Sequence, residues 1–79
     1  MNESERTSLI SDIAKYTGAN IPEWIKTNDI DWLYSVRNLV SAGFLTFHGD
    51  NMKISAYKDD ILDRDMGHDF LVVFGKRLY

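Results

Sequence analysis

Residues 27–56, TNDIDWLYSVRNLVSAGFLTFHGDNMKISA, constrain this chain more than any other stretch. Laid out at 100° per residue, Leu33, Val36, Leu39, Val40 and Trp32 fall on one arc of a helix spanning about 29–42, which predicts a core-facing stripe. The opposite side carries Asp31, Tyr34, Ser35, Asn38 and Ser41, with Arg37 at its flank. Gly43 then suits a left-handed helix stop. Beyond it, Phe44–His48 alternates with Leu45 and Phe47 on one face, and Met52, Ile54 and Ala56 alternate likewise. Gly49, Asp50 and Asn51 lie between the two runs and tolerate positive φ, so a tight hairpin is expected.

The flanking segments are read on the same rules. Leu9, Ile10, Ile13, Ala14 and Thr17 recur at helical spacing, which predicts a helix over 3–17, opened by a capping box of Asn2 and Glu5 and stopped by Gly18. Asn20, with Glu23 three residues on and Pro22 in the first turn, predicts a short helix over about 21–26 that turns Ile21, Trp24 and Ile25 inward. Thr27 or Asn28 is expected to cap the helix that follows. Residues 58–69, KDDILDRDMGHD, suggest one or two helical turns closed by Gly67. The run FLVVFGKRLY from Phe70 reads as a strand, apolar on both faces and therefore needing cover on both.

One domain of 79 residues is expected, near the lower size at which a single core suffices without a staple. With no cysteine, neither a disulfide framework nor a zinc finger is available, so apolar side chains must build the core. No apolar run approaches the roughly 20 residues that span a bilayer, and MNESERTS lacks a cationic segment ahead of an apolar one. A cytoplasmic protein is the expectation.

The formal charge is −3, with nine basic residues against twelve acidic ones. Duplex DNA binding rests on neutralising phosphates with clustered Lys and Arg, so this balance favours a partner with a basic surface. Asp29 and Asp31 stand at the start of the third helix, where carboxylates complement the macrodipole and also repel a polyanion. Asp59, Asp60, Asp63 and Asp65 could imitate phosphates along the later segment, and Tyr34, Tyr57, Phe44 and Tyr79 are possible exposed aromatic anchors. Asp63, Asp65 and Asp69 beside His68 miss the calcium-loop spacing, so no metal is expected. His48 and His68 adjoin no nucleophile in a recognisable motif, and no phosphate loop occurs; no cofactor and no catalysis are expected.

Three helices, a glycine stop and a hairpin in this order resemble the winged-helix family over residues 4–57. The resemblance implies an α+β domain with an exposed third helix, a hairpin wing, and here a C-terminal strand completing a small antiparallel sheet. In DNA-binding members that helix enters the major groove, which would assign reading to Ser35, Arg37 and Asn38, with Tyr34 beside them, and backbone contact to Lys53 and His48. The segment LISDIAKYTGAN, residues 9–20, is also similar to the first helix and Tyr-Thr-Gly corner of small phage inhibitors of type I CRISPR complexes. That likeness implies a stoichiometric blocker of a nucleic-acid-binding surface on a host complex. Three functions therefore stand: an acidic protein-binding inhibitor using Asp29, Asp31, Tyr34, Asp59, Asp60, Asp63 and Asp65, a DNA-binding regulator dimerising through Phe70–Phe74, or a structural protein whose sheet edge pairs with other subunits.

Overall fold

The helical and alternating periods of the sequence become four helices and one hairpin in a computed structural model that describes residues 3–55 and 66–75. Helix α1 spans Glu3–Thr17, α2 Glu23–Lys26 and α3 Ile30–Ser41. Strands β1 (Leu45–His48) and β2 (Asn51–Ile54) pair antiparallel, and helix α4 covers Gly67–Phe74. The architecture is α+β.

Helix α3 is the central element, because both α1 and α4 pack against it. Its stripe of Leu33, Val36, Leu39 and Val40 is buried and meets Leu9 and Ile13 of α1, Ile21 and Ile25 around α2, and Val73 of α4 in one core. Trp32 is half-buried at the margin of the same cluster. Phe44 is buried too, in a smaller cluster with Phe70, so it is a packing residue and not the exposed anchor expected.

Helix ends follow from local chemistry. Gly18, at φ 66°, ends α1 by donating its N–H to the Ala14 carbonyl at 2.8 Å. At the end of α3 the Phe44 N–H reaches the Leu39 carbonyl (2.9 Å) and the Gly43 N–H reaches Val40 (3.0 Å), with Gly43 at φ 79°. This paired closure satisfies orphan carbonyls and requires the left-handed conformation that glycine adopts without strain. The N-cap position of α3 is Asp29, not Thr27 or Asn28. Thr27 Oγ1 instead donates back to the Glu23 carbonyl, and Asn28 Oδ1 accepts from the Asp29 N–H.

The hairpin register pairs Leu45 with Ile54 and His48 with Asn51, leaving Gly49 and Asp50 as a two-residue turn. Leu45 and Phe47 face the core, while Thr46, His48, Asn51 and Lys53 alternate away from it. Ser55 closes the base by donating its N–H to Phe44 O and its hydroxyl to Gly43 O.

The C-terminal strand is corrected: residues 67–74 are helical, ending at Gly75 with φ 69°. The helix turns Phe70 and Val73 to the core and leaves Leu71 exposed. That spacing removes the doubly apolar strand on which dimerisation through Phe70–Phe74 was premised. Gly67 opens this helix and does not close an earlier one. Most of the segment expected to be helical at 58–69 lies outside the described residues.

A candidate acidic surface at the start of the third helix

The first turns of α1 and α3 lie together, and polar groups bind them. Arg6 Nη1 donates to the carbonyls of Lys26 (2.7 Å) and Asn28 (2.5 Å), the acceptors left at the end of α2. One position earlier on α1, Glu5 Oε2 accepts the phenol of Tyr34 at 2.5 Å. Asp31 stands three residues before Tyr34, a spacing that places both on one side of α3. Asp31 and Asp29 are exposed, and Tyr34 is half-buried.

The corner brings the carboxylates of Glu5, Asp29 and Asp31 together with the cations Arg6 and Arg37. The Tyr34 pKa is raised above its ordinary value of 10.0, first by the hydrogen bond to the Glu5 carboxylate, then by burial and the Glu5 charge; Arg37 opposes the shift and Asp31 adds to it. Asp29 occupies the N-cap position with extended backbone (φ −60°, ψ 148°), yet its side chain caps no amide. Its carboxylate therefore faces water and is not consumed by the helix end.

The residues expected to read DNA are arranged differently. Ser35 is only 6% exposed, so it is a buried residue and not part of the outer face. Arg37 lies 5.3 Å from the centre of the Tyr34 ring, a cation–π arrangement, while its Nη2 donates to Asn38 Oδ1 at 3.0 Å. Asn38 Nδ2 in turn donates to Asp69 of α4 at 3.3 Å. A polar belt thus runs Glu5–Tyr34–Arg37–Asn38–Asp69 across three helices. Lys53 and His48 are exposed on the hairpin. The structure brings Asp31 and Tyr34 together and ties Arg37 and Asn38 into internal contacts. Asp59, Asp60, Asp63 and Asp65, with Tyr57 and Tyr79, lie outside the described residues.

Sequence reasoning missed Glu5 and Arg6 as members of this corner. Their i, i+1 spacing puts them on different flanks of α1, and only the packing of α1 on α3 shows that both flanks meet polar partners. Trp24 also departs from expectation: it is 43% exposed, tilted against Trp32 with centroids 5.9 Å apart, and its Nε1 donates to the Asp50 carbonyl at 2.9 Å. Among the described residues no group of three or more His, Cys, Asp or Glu side chains is placed to hold a metal ion, and no helix is long and apolar enough to cross a membrane.

No protein-family model matches the chain, and no curated protein or solved structure matches it either.

Proposed function

We propose that this chain is a non-catalytic protein-binding module that sets an acidic surface, centred on Tyr34 with Glu5, Asp29 and Asp31, against a basic partner. Its scaffold is read as winged-helix-like, with α1–α3 followed by the β1–β2 hairpin. In the most specific form of the proposal it is an inhibitor of the kind phages and mobile elements direct against host complexes, including CRISPR complexes, and it blocks a nucleic-acid-binding surface there. Asp59, Asp60, Asp63 and Asp65 would extend the same negative field.

The observation that supports this reading is the position of charge on α3. Carboxylates stand free at its first turn, whereas its one cation, Arg37, is folded onto Tyr34 and Asn38. A helix that reads a major groove presents bare donors to base edges and cations to phosphates. Here α1 and α4 flank that helix on both sides. A tyrosine with the Glu5 and Asp31 carboxylates near it instead suits a basic protein surface, where aromatic anchors dominate binding and opposite charge steers encounter.

The test is capture from host lysate by the wild-type chain beside Asp29→Asn/Asp31→Asn and Tyr34→Ala chains of unchanged melting temperature. A partner held by the wild type and lost by both variants supports the proposal. Salt-sensitive retardation of duplex DNA, abolished by Arg37→Ala, overturns it in favour of nucleic-acid binding.

A further inference from the structure

The loop between α1 and α2 and the hairpin turn enclose an open cleft of about 360 Å³, walled by Ile21, Pro22 and Phe47, with Asn20 and Asp50 among its other lining residues. Two features hold it in shape. Gly49 takes the left-handed φ of 61° that the tight turn needs, and the Trp24 indole N–H is anchored on the Asp50 carbonyl. The latch uses the backbone of Asp50 and leaves its side chain uncommitted. That carboxylate has no hydrogen-bond or ion-pair partner among the described residues. Lys53, the one lysine of the hairpin, pairs with Thr46, one position out of step with the Phe47–Met52 pair and so on the other face of the hairpin.

We infer that this cleft receives an arginine side chain of the protein partner, with the guanidinium on the Asp50 carboxylate and the methylenes against Pro22, Ile21 and Phe47. Apolar walls beside a single free carboxylate match a side chain that is hydrocarbon along its stem and cationic at its tip. Arginine suits it better than lysine, because a guanidinium is planar, weakly hydrated and able to grip a carboxylate through two donors. The inference rests on the reading of this chain as a binder of basic proteins, and it supplies a second, separate point of contact.

N-acetyl-arginine amide is the probe, with N-acetyl-citrulline amide as its neutral counterpart, followed by amide and indole chemical shifts of the full chain. The expected result is saturable shifts at Asn20, Gly49, Asp50 and the Trp24 indole N–H, at least about tenfold weaker binding in Asp50→Asn, and no such shifts with the citrulline compound. Asp50→Asn preserves the fold because only the backbone of Asp50 serves the latch. Equal binding of the two compounds, unchanged affinity in Asp50→Asn, or shifts confined to residues elsewhere overturn the inference. A cleft silent to the probe, with partner capture still dependent on Asp31 and Tyr34, removes the cleft alone. Probe binding at the cleft, with capture indifferent to Asp31 and Tyr34, removes the helix-surface reading instead.

Discussion

The phenol of Tyr34 donates to Glu5 Oε2 at 2.5 Å, joining residues 29 positions apart in sequence and fixing the first turn of α1 against the outer face of α3. A tyrosine in that position is a structural tie, with a carboxylate at its hydroxyl and the Arg37 guanidinium over its ring.

Ionising Tyr34 gives up the hydrogen bond to Glu5 and then leaves a partly desolvated phenolate beside that carboxylate, which is why its pKa is raised above 10.0. A raised folded-state pKa means that the stabilisation is fully present below the unfolded value and is lost as pH climbs through the folded one. Ultraviolet titration should therefore show a Tyr34 component with its midpoint above the ordinary range. That component should vanish in Tyr34→Phe and move downward in Glu5→Gln. A titration unaffected by Glu5→Gln would contradict the hydrogen bond.

Gly43 stands at φ 79° with open space where a Cβ would be, so substitution meets conformational strain without a clash. Gly43→Ala should cost about 1–2 kcal/mol, the left-handed penalty of an L-residue. For a domain of this size each kcal/mol lowers the melting temperature by about 4–8 °C. Thermal unfolding followed by circular dichroism reads this directly, and Gly43→Val should fall further because β-branched residues tolerate that region least.

Leu33 is fully buried in the first turn of α3. Leu33→Ala should destabilise by about 2–5 kcal/mol through lost transfer energy and the cavity left behind. A small domain holds only about 5–15 kcal/mol in total, so a large part of the urea midpoint should disappear. A near-native midpoint would mean that α3 is not the packed centre.

Trp24→Phe keeps a ring against Trp32 and removes the N–H that reaches Asp50. The bond is exposed, so its loss should cost about 0.5 kcal/mol in global stability. Its local effect should be larger, with faster amide exchange at Asn51 and Met52 while α3 amides stay protected. Equal acceleration across the whole domain would show that the latch is not local.

Helices α1 and α3 and the hairpin were legible because their periods are long or strictly alternating and glycine marks their ends. Helix α4 was not. Five apolar residues in a row, FLVVF, satisfy a buried strand and a short buried helix equally, and the β-branched valines tilt local preference toward a strand. What selects the helix is tertiary: Phe70 must meet Phe44 while Val73 joins the core built on α3, a demand that spacing of three satisfies and spacing of two does not. A usable signal was present in Gly67 and Gly75, which bracket Phe70, Val73 and Phe74 at helical intervals.

The same packing decides the candidate site. Ser35 fell on the polar arc of an isolated helix, and its burial reflects the crowding of α3 on two flanks, which one helix considered alone does not reveal. Asp31 and Tyr34 were legible as a pair from their spacing of three. Glu5 was read only as half of a capping box, because its contact with Tyr34 depends on how α1 docks. Asp29 was placed correctly at the helix start, although it caps nothing with its side chain.

Since α1, α4 and the hairpin pack on α3 or on what it packs against, a partner that grips Asp31 and Tyr34 takes hold of the hub and not of an outlying arm. Occupancy there is felt as a rise in the unfolding temperature of the entire domain, growing with the logarithm of partner concentration above the dissociation constant. Simple dye-based melting in the presence of fractionated basic proteins would then find the binding partner without any prior guess at its name.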